Sequence, residues 1–153
     1  MRFDRKLAAA ATALVERLRP APTTVDEDDI RLMPGETRVA LVTLFGVPRA
    51  DVPDILTATA ATLARFDRVV YLTDDPDFSE LRRRGATFEY LPALSEITTR
   101  GAGLPWARYL AERRTILVAK WRPVQEISYG LSFDDLIAAV AAAAAETPGA
   151  AEF

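Results

Sequence analysis

The chain has 153 residues, half of them hydrophobic and 27% charged, with a net charge of -3 and neither histidine nor cysteine. That length makes one domain with a sizeable core, and the absent residue types exclude disulfides, thiol nucleophiles, imidazole bases and the usual zinc sites. The mild acidic balance gives no electrostatic reason to expect a nucleic-acid partner, and no apolar run approaches the roughly 20 residues that cross a bilayer.

The N-terminus, Met1-Arg2-Phe3-Asp4-Arg5-Lys6 followed by an apolar run, has the outline of a signal peptide. Asp4 lies inside its basic stretch, however, and Glu16-Arg17 interrupts the apolar run. Phe3, Leu7, Ala10, Leu14 and Leu18 fall on one helical face. We therefore expect an amphipathic helix over 3–19, stopped by Pro20-Ala21-Pro22, and a cytoplasmic protein. The connector 20–36 carries Asp26-Glu27-Asp28-Asp29, read as a solvated acidic loop because clustered carboxylates alone do not make a coordination sphere.

From residue 37 onward, short apolar runs alternate with helical stretches. The first strand, 39–45, is apolar almost throughout, as a strand covered on both faces should be. After a Gly46–Arg49 turn, Asp51 and Pro53 open a helix whose Val52, Ile55, Leu56, Leu63 and Phe66 would face the sheet. The second strand, 69–73, runs into Asp74-Asp75-Pro76-Asp77. Asp77 and Glu80 have the spacing of a capping box for a short helix 78–84, and Gly85 supplies its left-handed end. The third strand is 87–91. Residues 93–103 read as a loop. Pro105 precedes a helix with an apolar stripe of Trp106, Tyr109, Leu110, Leu117 and Trp121. Pro123 ends it before a more polar fourth strand, 124–129, suited to a sheet edge. Ser132 and Asp135 then form a capping box for an alanine-rich helix that Thr147-Pro148-Gly149 stops.

Strands alternating with helices imply parallel β-α-β units. The expected architecture is a Rossmann-like α/β three-layer sandwich. Its four-stranded parallel sheet has the preferred order 3-2-1-4, the alternative being a flavodoxin-like order. Residues 1–36 form an additional N-terminal helix and connector, 37–147 the α/β domain and 148–153 a tail.

Two stretches carry a family resemblance. One runs Val69 to Asp74, a short helix, Gly85, then Phe88-Glu89-Tyr90-Leu91-Pro92. The other is the helix leading to Lys120-Trp121-Arg122-Pro123 and the strand that ends at Gly130. Over roughly residues 37–130 this resembles the N-terminal half of a two-domain GT-B glycosyltransferase. The resemblance implies acceptor or partner binding in surface polysaccharide assembly, with a nucleotide-sugar or glycan as the ligand. The sequence departs from the family in having one glycine after the first strand, no histidine base and no residues for a second domain.

With order 3-2-1-4 the sheet reverses between strands one and four, and a crevice is expected at their C-terminal ends. The candidate ligand-binding residues are Thr43, Gly46 and Arg49 after strand one, Asp74 after strand two, and Tyr129, Gly130 and Ser132 after strand four. Arg49 beside a helix start suits an anion. No catalytic residue is assigned. The missing G-x-G-x-x-G argues against a dinucleotide, so no cofactor is expected. Asp75-Pro76-Asp77 reads as D-x-D, but Asp77 serves better as a helix cap than as a metal ligand. Thr98–Gly103 lacks the Gly-Lys-Ser/Thr ending of a P-loop. The expectation is a non-catalytic interaction module, docking on a partner or on its own copy through the N-terminal helix. The alternative is the acceptor-binding half of a glycosyltransferase.

Overall fold

The computed structural model describes residues 37–100 and 105–146. The expected N-terminal helix, the acidic connector, the glycines of the 101–104 stretch and the tail lie outside the described residues. The described elements, in chain order, are β1 (Val39–Thr43), a 3-10 turn (Arg49–Asp51), α1 (Val52–Leu63), β2 (Arg68–Thr73), α2 (Ser79–Arg83), β3 (Thr87–Tyr90), α3 (Leu94–Arg100), α4 (Trp106–Trp121), β4 (Gln125–Ser128) and α5 (Phe133–Ala145).

The four strands form one all-parallel sheet in the order β3-β2-β1-β4, the order preferred from the sequence. Val42 stands opposite Tyr71 on one side and Ile127 on the other, which sets the register across the centre. β1 is buried along its whole length, whereas β3 and β4 are edges with no fully buried residue. The continuous apolar run of β1 and the polar content of β4 follow from those positions. This is a Rossmann-like α/β fold. Among the described residues no helix is long and apolar enough to cross a membrane.

Strand alternation sends side chains to two separate cores. Val39, Leu41, Val70 and Leu72 meet Ile97 of α3, Leu110 and Leu117 of α4, and Leu136 and Val140 of α5. Ala40, Val42 and Leu44 meet Leu56 and Leu63 of α1, with Phe66 and Leu81. Right-handed crossovers explain the division: the chain steps from β1 to β2 to β3 in one direction, then returns to β4 on the other face. The two faces are unequally covered. Three helices pack on the first. The second has α1, of 12 residues, and α2, of only 5, which are about 18 and 8 Å long.

Most local features follow the residues. Gly85 has a φ of 64° at the end of α2. Ser132 and Asp135 make the reciprocal capping box of α5. On α4, Leu110 and Leu117 are buried and both tryptophans pack at the core edge, but Tyr109 is exposed and meets Trp106 edge-on. Arg122 adopts a left-handed conformation before Pro123 closes the helix. Two expectations change. Residues 94–100 form α3 rather than loop, because Ile97 is buried and Leu94 packs beside it at helical spacing. Burial of that edge outweighs the weak helix propensity of its Ser and Thr residues. Asp77 is not the cap of α2: Phe78 holds that position with no side-chain cap bond, Asp77 accepts from the Ser79 N–H at 3.0 Å from the turn just before it, and Glu80 pairs with Arg83 and Arg84 instead of closing a capping box.

Candidate functional site

The C-terminal ends of the strands were the expected site, and the chain's own groups occupy much of them. Beyond β1, Phe45 forms an antiparallel bridge with Leu131, whose N–H donates to the Phe45 carbonyl at 2.9 Å. Thr43 is buried, and its hydroxyl donates to the Leu131 carbonyl at 2.9 Å. Gly130 presses against the same bridge: a Cβ there would lie 2.1 Å from the Phe45 carbonyl oxygen. Phe45 and Phe133 meet edge-to-face at 5.4 Å beneath it. Ser132 is engaged with Asp135 at the start of α5. Thr43, Gly130 and Ser132 therefore come together at the crevice between β1 and β4, where they tie β1 to the chain leaving β4.

Gly46, Arg49 and Asp74 gather over β2. Gly46 turns the chain with a φ of 72° and directs its N–H to both carboxylate oxygens of Asp74, at 3.0 and 3.1 Å. Burial pushes the Asp74 carboxyl up to about 6, against the pull of that N–H and with the neighbouring Asp75 charge adding to the rise. Arg49 makes a two-point pair with Asp75, at 2.6 and 2.8 Å, and reaches Asp77 at 3.3 Å. The Arg49 hydrogen bonds hold the Asp75 carboxyl below its ordinary value. The bonds from Ser79 do the same for Asp77. Asp75 also accepts from the Asp77 N–H, and its own N–H donates to the Thr73 hydroxyl. The result is an internally satisfied ion cluster around a cavity of about 170 Å³. Arg49 stays exposed on its outer side, but its fork is committed to carboxylates. Among the described residues no group of three or more acidic side chains is arranged to hold a metal ion.

Tyr129 lies apart from both groups. It points to the α1 face of the sheet, half-buried beside Thr59, and burial raises its phenol.

A larger concavity opens on that same face, toward the N-terminal ends of the strands. It is an open groove of about 530 Å³ running between α1 and the β2–β3 pair. Leu56, Ala60 and Leu63 form one wall, Val69 and Tyr71 the floor, and Ala86 part of the far wall. Its origin is the short α2. A second full-length helix beside α1 would cover this strip, but α2 ends after 5 residues. Sequence reasoning about the crevice missed the groove. Its available signal was the brevity of the helix between Asp77 and Gly85, together with apolar Val69 and Tyr71 on a strand face with little to cover it.

No family model, curated protein or solved structure matches this chain.

Proposed function

We propose that this chain is a non-catalytic α/β interaction module whose contact surface is the α1-side groove. The observation that carries the reading is the groove itself, an apolar-floored trough left uncovered because α2 is so short. The arrangement at the strand ends supports it. The Phe45–Leu131 bridge crosses the position where a ligand enters many open α/β sheets, and Arg49 is neutralised by Asp75 and Asp77. A trough walled by one helix and floored by strand side chains suits an apolar helical segment of a protein, a recurring mode of recognition.

The test uses the full chain, which has no cysteine of its own. A single thiol introduced as Ala60→Cys in the groove is compared with Ala111→Cys on the outer face of α4. Both positions are solvent-exposed in the described residues. Thiol reactivity follows access, so a covered groove slows reaction with an aromatic disulfide about tenfold or more at residue 60 relative to residue 111. Equal rates would remove the reading. A UDP or UDP-sugar panel should leave the melting temperature unchanged. A rise that Arg49→Ala abolishes would restore the glycosyltransferase-half alternative.

A further inference from the structure

We infer that the occupant of the groove is the chain's own N-terminal segment, residues 1–36, folded back in cis. This rests on the groove being a docking surface, as proposed above, and names what it holds.

The first argument is the point of entry. The described chain begins at Thr37 and enters β1 at the mouth of the groove. Arg38 and Asp67 are tied together there: the Arg38 N–H donates to the Asp67 carboxylate at 2.7 Å, and the Asp67 N–H donates to the Arg38 carbonyl at 2.9 Å. Asp67 and its neighbour Arg68 line the groove. Whatever precedes Thr37 therefore starts beside it. Residues 20–36, fully extended, reach roughly 55–60 Å, about three times the length of α1, so the segment before them returns to the groove without strain.

The second argument is shape and chemistry. In the sequence, Phe3, Leu7, Ala10, Leu14 and Leu18 recur at the spacing of one helical face, the pattern of a segment that buries a stripe against a second surface. The groove offers such a surface. Ala60 on α1 and Ala64, which caps its C-terminal end, are one turn apart and both line it. Small side chains at that spacing allow a second helix to approach at the short end of the 8–10 Å interaxial range. The floor of Val69 and Tyr71 is only partly covered, so a leucine stripe laid over it removes apolar surface from water on both partners.

The third argument is charge. Arg65, Arg68 and Arg122 stand near the N-terminal ends of the strands. Arg65 and Arg68 lie over aromatic rings, 5.0 Å from the centre of Phe66 and 5.6 Å from that of Trp121. None of the three has a carboxylate partner among the described residues, and the Arg65 Nε is buried without a hydrogen-bond partner. The connector that leads into Thr37 carries Asp26-Glu27-Asp28-Asp29. Arg65 is partly committed, donating to the Gln125 side-chain oxygen at 3.2 Å, but no carboxylate among the described residues offsets the charge of this rim, so an acidic connector is attracted toward this side of the molecule.

The test is a pair of thiols in the full chain. Ala10→Cys is combined with Ala60→Cys, and separately with Ala111→Cys as the control, and each is treated with a short bismaleimide. A segment tethered beside its site experiences an effective concentration in the millimolar range, so the expected product is a cross-link at monomer mass whose yield survives about tenfold dilution. It should exceed the control pair by about fivefold or more, and fall when Asp26, Glu27, Asp28 and Asp29 are changed together to Asn, Gln, Asn and Asn or when salt is raised. A cross-link at dimer mass that fades on dilution overturns the inference, as does a yield equal to the control. If either result comes with a protected thiol at residue 60, the groove remains a docking surface with a different occupant. If that thiol is as reactive as the one at residue 111, the docking reading falls too.

Discussion

Gly130→Ala is the sharpest perturbation of the rim between β1 and β4. The added methyl would sit 2.1 Å from the Phe45 carbonyl oxygen and 2.9 Å from Val47 Cγ2. The first of these is backbone and cannot swing aside. Restoring an ordinary contact near 3.4 Å requires the chain after β4 to move by about 1 Å, an overpacking cost of about 1–3 kcal/mol. That movement pulls Leu131 from Phe45 and Thr43 from Leu131, bonds now 2.9 Å long. Losing one backbone bond and leaving a buried hydroxyl unpaired adds about 2–3 kcal/mol. The combined loss of about 3–6 kcal/mol is a large share of the 5–15 kcal/mol typical of a domain. Gly85→Ala is the internal comparison. Its φ is 64° and nothing lies within 4 Å of the new methyl, so only left-handed strain remains, about 1–2 kcal/mol. Urea unfolding followed by far-UV circular dichroism measures both, with the slope of the transition confirming an unchanged unfolding reaction. If Gly130→Ala costs no more than Gly85→Ala, the bridge does not tie β4 to β1 as described.

Asp74→Asn tests the raised carboxyl. The folded state holds the Asp74 proton more tightly than the unfolded chain does, so the ionised group costs stability at neutral pH and that cost vanishes as pH falls through 6 toward 3.8. A rise from 3.8 to about 6 is worth about 3 kcal/mol. The Asn variant should gain up to that amount at pH 7, less whatever the Gly46 bonds lose with the charge, and should lose this advantage near pH 4. A difference independent of pH in paired urea titrations would contradict it. Thr43→Val keeps the buried shape but removes the donor to Leu131, and should cost about 1–2 kcal/mol in the same assay. Ser132→Ala opens the α5 capping box and should cost about 1 kcal/mol.

The strand ends illustrate why the candidate site was only partly legible. Arg49, Gly46 and Asp74 were placed near one another by topology alone, because residues just past parallel strands gather at one rim. That Arg49 would turn to Asp75 and Asp77 depends on where the turn after β2 lies in space. Neither pattern nor spacing encodes that distance. Gly130 reads in sequence as a strand-ending glycine; the reason it must lack a side chain is a carbonyl 85 residues earlier in the chain. The same holds for α3, where Leu94 and Ile97 reveal a helix only once the core they enter is known.

What the linear order of residues determined was the alternation of elements and the caps that begin and end several of them. The unbroken apolar run of β1 against the mixed composition of β4 also anticipated which strand lies inside and which at the edge. These are local properties: a period of two or 3.6 residues, a glycine with positive φ, a serine three residues before an aspartate. The bridge that ties β4 to β1, the pairing of Arg49 and the groove beside α1 were decided only in three dimensions. Each depends on distances between segments that are far apart in the chain, and those distances follow from packing the two faces of the sheet rather than from any segment taken alone.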